Sequence, residues 1–350
     1  MKILFLTRVH PPVAGGLENQ SYNLIKYFKK INKETFTIIN KKGKKNLPFF
    51  IPYSFFKALY IIKKNKITHM HLSDGVLAFE GCLIKKLTGV KTAITIHGLD
   101  ITYKNKIYQK IIPKSINELD KIICVSNNTK EICIKKGISK NKISVIHNGV
   151  NSNEFILKNS KEKLREKISS KINVNLHNKK ILLTSGRLVE RKGVKWFINS
   201  VMTKLNNEYI YLISGDGEDK TNIEKAIKKN NLNNKIFLLG KVDFETLKLL
   251  YNSSDLFIMP NISVKDNIEG FGIVAIEAGS CGLPVITSGI EGIKDAIINN
   301  KTGWVVGEKN TKEFIKKIKN KKLNKKTIKK IIKEKFEWKT ISKKYLETIK

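Results

Sequence analysis

The chain has 350 residues, 41% of them hydrophobic, and a formal charge of +37. That length suits two domains with full cores, and no apolar stretch reaches the roughly 18 residues of a membrane-spanning helix, so disordered and membrane-embedded classes are set aside. The 67 basic residues against 30 acidic ones would favour nucleic acid or an anionic membrane as partner, but the only arginines are Arg8, Arg165, Arg187 and Arg191. Lysine is inflated together with asparagine and isoleucine, which discounts the charge as a functional signal.

Lys2 to Thr7 is a continuous apolar strand and Leu17 to Ile31 has helical periodicity, so RVHPPVAGG between them is a strand-to-helix loop. It lacks GxGxxG, which argues against a nicotinamide or flavin dinucleotide; Gly15 and Gly16 place bare backbone at a helix start, or simply make a tight turn. Strand and helix signals then alternate through FTIIN (36–40), SFFKALYIIKK (54–64), THMHL (68–72), VLAFEGCLIKKL (76–87), KTAITI (91–96), DKIICV (120–125) and KISVIHN (142–148). Such alternation predicts parallel strands with crossover helices. Phe55, Phe56, Leu59 and Ile62 fall at core-facing spacing, although the aromatic and lysine mixture at 47–66 also suits a membrane surface. His97 follows a strand end, where a ligand-facing group stands; a structural histidine fits there too. His69 and His71 share a strand face without a third metal ligand.

A polar, lysine-rich stretch from Asn151 to about Asn178 marks a boundary, which we set at 158/159. The alternation restarts at KILLTSG. The next loop, GRLVERKG, holds two of the four arginines; a guanidinium grips phosphate oxygens as a fork, so Arg187 beside Lys192 reads as a diphosphate clamp, against the alternative of a solvated basic turn. Strands with a Gly-Asp-Gly turn at 215–217 and a loop at Gly240–Val242 follow. Leu256 to Met259 is a buried strand, and Phe271 to Ser280 has the length of a helix stopped by Gly282 and Pro284. Glu269 lies at the mouth of this unit; Gly270 and Gly272 leave the amides of Phe271 and Ile273 open to a phosphate. Glu277 sits on an apolar helix, where a carboxylate is costly unless something donates to it. Phe336, Trp338, Ile341, Tyr345 and Leu346 give the last helix an apolar stripe that must dock. The cysteines, Cys82, Cys124, Cys133 and Cys281, are scattered and read as reduced core residues of a cytosolic protein. The N-terminal apolar run is too short for a signal peptide.

GRLVERKG, the Gly-Asp-Gly turn and EGFGIVAIE, with PPVAGG, HGLD and NGV in the first half, resemble family 4 of the retaining glycosyltransferases over nearly the whole chain. The specific signature is EGFGIVAIE, two glutamates eight positions apart around a Gly-Phe-Gly helix start. The resemblance implies an α/β GT-B fold, two Rossmann-like doubly wound domains facing a common cleft: 1–158 for the acceptor, 159–335 for the nucleotide-sugar donor, with helix 336–350 returning to the first. It implies that Glu269 binds donor-sugar hydroxyls and Glu277 the ribose. Arg187 and Lys192 would hold the diphosphate with amides at Gly16, Gly270, Phe271, Gly272 and Ile273. His97 would lie beside the sugar, with Gly215 and Val242 completing the donor site. Asn151 replaces an aspartate common after NGV, and the NISVKDNI insertion before Glu269 is longer than in many members.

The function so implied is retaining transfer of a sugar from a UDP- or GDP-linked donor to a glycan or lipid-linked hydroxyl, in surface polysaccharide, lipopolysaccharide or glycolipid synthesis. No metal or cofactor is expected, and no nucleic acid. The expected place is the cytoplasm, with peripheral contact at the inner face of the cell membrane. The rivals are a nucleotide-sugar 2-epimerase on the same scaffold and a basic non-catalytic nucleic-acid-binding protein.

Overall fold

Continuous apolar runs form the strands, because a parallel sheet covered by helices on both faces buries both sides of each strand. In a computed structural model, which describes all residues except 12–15, 41–45, 266 and 321 and only the backbone of Asn320, these runs build two parallel six-stranded sheets. Two units result: Met1–Gly149 with Ile268–Phe271 and Phe336–Lys350, and Val150–Asn267 with Gly272–Lys335.

The first unit runs β1 (Ile3–Thr7), α1 (Gly16–Ile31), β2 (Thr35–Ile39), α2 (Leu47–Asn65), β3 (His69–Leu72), α3 (Ala78–Thr88), β4 (Lys91–Ile96), α4 (Lys106–Glu118), β5 (Lys121–Cys124), α5 (Asn127–Lys135) and β6 (Ile143–Val145). Its strand order is β2-β1-β3-β4-β5-β6, so the direction of winding reverses between β1 and β3. One core cluster joins the sheet to α2, α3, α4 and α5. The cluster on the other face joins Leu24, Ile25 and Phe28 of α1 to Trp338, Ile341, Tyr345 and Ile349 of the last helix, Trp338–Ile349. That helix is also tied by polar contacts: the Tyr345 hydroxyl lies 3.2 Å from both Gln20 Nε2 and Thr95 Oγ1.

Helix α2 meets the expected core-facing set in part: Ile62 is buried and Phe55 and Leu59 pack against the core, but Phe56 does not. Its buried stripe is Phe50, Ser54, Ala58 and Ile62, and Phe56, expected in the core, is 69% exposed. The helix starts seven residues before Ser54, at Leu47, and its apolar residues surround it, so spacing alone does not select a face. The small residues Ser54 and Ala58 turn inward because Ser54 Oγ donates to the buried Glu80 of α3 at 2.7 Å.

The second unit runs α6 (Ser152–Phe155), α7 (Lys161–Ile172), β7 (Lys180–Ser185), α8 (Val194–Ser200), β8 (Tyr209–Ser214), α9 (Lys220–Lys229), β9 (Ile236–Gly240), α10 (Phe244–Ser253), β10 (Leu256–Met259), α11 (Ile273–Ser280), β11 (Val285–Ser288), β12 (Gly303–Val306), α12 (Thr311–Asn320) and α13 (Lys325–Phe336); α14 (Trp338–Ile349) is the last helix, in the first unit. The order β12-β11-β10-β7-β8-β9 reverses its winding between β7 and β10. Ligands of open α/β sheets bind beyond the carboxyl ends of the strands at such a reversal. All four cysteines are buried and free. Among the described residues no helix is long and apolar enough to cross a membrane.

Candidate active site

In the second unit the loops after β7 and β10 are tied together at the reversal. Ile262 N donates to Arg191 O at 2.9 Å, and Arg191 Nε donates to Asn267 Oδ1 at 3.1 Å. Gly193, at φ 65°, lies so close that a Cβ would come within 1.9 Å of Pro260 O, so only glycine lets the two loops meet. The long segment before Glu269 is further pinned by Ser263, whose N and Oγ reach Glu308 at 2.7 and 2.8 Å.

Three arginines are committed: Arg8 to Asp74, Arg165 to Asp255 and Arg191 to Asn267. Arg187, two residues past β7, is exposed and makes no ion pair or hydrogen bond among the described residues. Lys192 is half-buried in the turn that enters α8, and it has a partner. The Gly-Asp-Gly turn braces Arg187's loop from behind. Leu188 N donates to Asp216 O at 2.9 Å, and a Cβ on Gly215 would strike Gly186 O. Gly215 therefore acts on this loop through close backbone approach.

Glu277 is on α11, half-buried, and Tyr251 Oη of α10 donates to its Oε2 at 2.9 Å. Burial pushes Glu277 up to about 7, with the Tyr251 hydrogen bond opposing. Tyr251 also interacts with the Ser185 side chain at the end of β7, so one phenol links the strand that precedes Arg187 to the α11 carboxylate. The residues that open α11, Gly272 and Ile273, belong to this unit; Gly272 adopts φ 83° at the helix cap, packed beneath by Met259. Val242 is half-buried just ahead of Asp243, which caps α10 by accepting from Thr246 N at 2.6 Å.

The first unit carries His97, Glu269, Gly270, Phe271 and Gly16. Gly16 opens α1 and is exposed; residue 15 and most of PPVAGG lie outside the described residues. Gly270 lies against the loop after β4, where a Cβ would come within 2.0 Å of His97 O, so the segment bearing Glu269 is seated beside His97. Phe271 stacks on His147, with ring centroids 5.3 Å apart. His97 Nε2 lies 3.0 Å from Ser73 O; a carbonyl only accepts, so Nε2 donates this bond and fixes the ring's orientation.

Asp100, which the sequence reading quoted in HGLD without a role, organises this loop. Its Oδ1 accepts from His97 N and Gly98 N at 2.9 and 2.8 Å, and its Oδ2 from Gly75 N at 2.9 Å. Asp74, fully buried, pairs with Arg8 Nε at 2.8 Å. Neither Asp100's bond to Gly75 N nor the pairing of Tyr251 with Glu277 leaves a signal in sequence, because each is made across about 25 residues of chain. Among the described residues no group of three His, Cys, Asp or Glu is placed to hold a metal. His71, instead, is buried with Nε2 2.9 Å from Thr95 Oγ1.

Two doubly wound units in one chain, with cation-bearing and glycine-tightened loops at the strand ends of the second, define a GT-B type α/β protein. Residues 165–338 match the family described as Glycosyl transferases group 1, and residues 14–154 match Glycosyltransferase Family 4. The chain belongs to this glycosyltransferase family. It is 29% identical over 280 residues to an uncharacterized glycosyltransferase of Methanocaldococcus jannaschii, covering 75% of this chain and 70% of that one. It is 28% identical over 268 residues to the UDP-Gal:alpha-D-GlcNAc-diphosphoundecaprenol alpha-1,3-galactosyltransferase of Escherichia coli, covering 73% of this chain and 66%, just under two thirds, of that protein. In fold it matches the crystal structure of Anabaena HepE in complex with UDP, at a TM-score of 0.80 and 17% identity, over 100% of this chain and 99% of that one.

Proposed function

We propose that the chain is a retaining, metal-independent glycosyltransferase that moves a sugar from a nucleotide diphosphate sugar to a hydroxyl of a glycan or lipid-linked acceptor, in surface polysaccharide, lipopolysaccharide or glycolipid synthesis. The observation that carries this reading is the uncommitted, exposed Arg187 at the carboxyl end of β7. The other three arginines are spent on protein partners; this one is offered to a ligand. Arg187 and Lys192 supply positive charge to the leaving diphosphate, where the transition state gathers most negative charge. Amides from Gly270 to Ile273 add to it, Glu277 receives ribose hydroxyls and Glu269 those of the transferred sugar. The acceptor attacks on the face the diphosphate leaves, and the departing phosphate oxygen takes its proton. His97, Gly16, Gly215 and Val242 are further contacts of the sugar and nucleotide.

UDP is the favoured donor nucleotide, since the Anabaena HepE structures of the same fold hold UDP and UDP-glucose and the Escherichia coli relative is named for UDP-Gal. That relative is also named for a diphosphoundecaprenol acceptor, which supports a lipid-linked acceptor and work at the inner membrane face. The test is a thermal-shift panel of UDP, GDP and their sugars, followed by transfer to lipid-diphosphate acceptors with and without chelator. A ligand at about 100 times its dissociation constant adds roughly 2.7 kcal/mol of stability. No shift with any nucleotide sugar ends the proposal. A shift followed by epimer or free sugar in the absence of acceptor moves the chain to the 2-epimerases.

A further inference from the structure

Among the described residues, eleven of the fifteen exposed large hydrophobic side chains lie between Phe49 and Ile111, all in the first unit. On α2 they are Phe49, Tyr53, Phe56 and Tyr60, at spacings of four, three and four that place them in one outward stripe. Phe49 is 77% exposed, and the stripe is separate from the buried one of Phe50, Ser54, Ala58 and Ile62. On α3 the outward residues are Phe79, Leu83 and Leu87, again four apart; on α4 they are Ile107 and Ile111. The three helices pack side by side on one face of the sheet, so their stripes form parallel ridges across a single surface. Soluble surfaces rarely gather apolar side chains in this way without a partner.

The near absence of exposed acids beside these ridges, rather than the number of lysines, selects the partner. From Leu47 to Glu118 the chain holds eleven lysines and four acids, and Asp74, Glu80 and Asp100 are buried, which leaves Glu118. Lys57 Nζ sits 4.9 Å from the Tyr53 ring centroid and Lys64 Nζ 5.3 Å from that of Tyr60, so cation and ring stand at the same depth. Aromatic rings with a polar tip and lysines on long stems both settle at the boundary between acyl chains and headgroups. A broad set of ridges with phenylalanine and leucine at the crest suits a deformable surface better than a single protein helix, which would need a groove.

We propose that the outer face of α2, α3 and α4 docks the first unit onto an anionic lipid bilayer, with the aromatic and leucine crests inserted at the headgroup boundary and the lysines on anionic headgroups. This deepens the proposed use of a lipid-linked acceptor, but the binding itself rests on the surface and not on the reaction. Each lysine near such a membrane contributes roughly fivefold in partitioning, and the effect weakens with salt.

The test is sedimentation of the full chain with vesicles of phosphatidylcholine alone and of phosphatidylcholine with phosphatidylglycerol, at near-physiological salt. Wild type should partition at least tenfold more strongly onto the anionic vesicles. The pairs Phe49→Ser with Phe56→Ser, and Lys57→Glu with Lys64→Glu, should each lose tenfold or more, while Lys326→Glu with Lys330→Glu on α13 leaves binding within twofold. Thermal shift with UDP should be the same in all three pairs, which shows that they fold. Equal partitioning onto both vesicles, wild-type binding by both α2 pairs, or equal loss in the α13 pair overturns the proposal. So does light scattering that finds a dimer abolished by Phe49→Ser with Phe56→Ser, since the face would then belong to a second copy. A missing UDP shift in a chain that still binds lipid counts against the transferase reading alone.

Discussion

Tyr251 Oη donates to Glu277 Oε2 across 2.9 Å, from the helix before β10 to the helix after it. The phenol is itself packed by Phe155 and Phe257, so its position is fixed by aromatic contacts before any ligand arrives. Tyr251→Phe keeps that packing and deletes only the donor. It should cost about 1–2 kcal/mol of stability, the usual loss for a buried hydrogen bond to a carboxyl group. It should also raise the carboxyl's pKa further and weaken nucleotide-sugar affinity, by roughly five- to thirtyfold at 1.4 kcal/mol per decade. Urea unfolding and titration calorimetry measure both, and wild-type affinity in the variant would separate Glu277 from the ligand.

Stability should fall as pH rises through neutrality. Burial pushes both Glu277 and Glu80 from the ordinary 4.5 up to about 7, so the folded chain holds those protons more tightly than the unfolded one. Their stabilisation is therefore complete below the ordinary carboxylate value and is lost as pH rises through about 7, at about 1–3 kcal/mol per group. Glu80→Gln should keep its partner Ser54 and flatten this slope. A wild-type melting temperature that climbs steadily from pH 5 to 7.5, with no change of slope in Glu80→Gln, contradicts the assignment.

Nucleotide-sugar affinity should move the opposite way. Ribose hydroxyls donate, so they favour the ionised Glu277, and affinity should rise between pH 6 and 8 by up to about tenfold per unit below its pKa. A sugar nucleotide is the right probe, because its diphosphate carries no terminal phosphate titrating nearby. Glu277→Gln should bind more weakly and lose the dependence.

Arg187→Ala should reduce kcat/KM by roughly 30- to 1000-fold, a loss of about 2–4 kcal/mol in charge-assisted bonds to the diphosphate. Arg187→Lys should recover part, as an ammonium restores charge without the fork. Stability should shift by less than about 0.5 kcal/mol, since the side chain is exposed. Normal turnover at donor concentrations below KM would return Arg187 to the solvated surface.

Asp100→Asn should be far more harmful to the fold. Asparagine offers one acceptor oxygen where three backbone N–H groups need two, and its amide would face either Gly75 N or the pair His97 N and Gly98 N. About 2–3 kcal/mol should be lost, and the His97 resonances should shift in NMR spectra because its loop moves. An unshifted His97 resonance in a destabilised variant would confine Asp100 to stability.

The family and the doubly wound architecture were legible because strands such as Leu256–Met259 are buried on both faces and therefore apolar without interruption. The EGFGIVAIE segment was legible because its glycines and glutamates lie within nine consecutive residues. The face of α2 was legible only in part: Phe55, Leu59 and Ile62 meet the core as their spacing implies, but Phe49, Phe50, Phe55 and Phe56 satisfy a helical stripe in more than one register and the deciding contact, Ser54 with Glu80, spans 26 residues. Tyr251 was hidden for the same reason. An unremarkable tyrosine in an amphipathic helix acquires meaning only when β10 and its loop bring α11 beside it.

The first unit closes its core with residues made after the second unit. Trp338 occupies the space beside Gly149, where a Cβ would come within 2.6 Å of its ring, and Tyr345 reaches the hydroxyl of Thr95. During synthesis at about 5–20 residues per second, the first 149 residues wait roughly 10–40 s for this wedge while the second unit is being made. A nascent chain halted near residue 335 therefore leaves Ile3 and Phe5 of β1 and Phe28 of α1 without their last cover, a surface that chaperones bind, even though it contains every strand of both sheets.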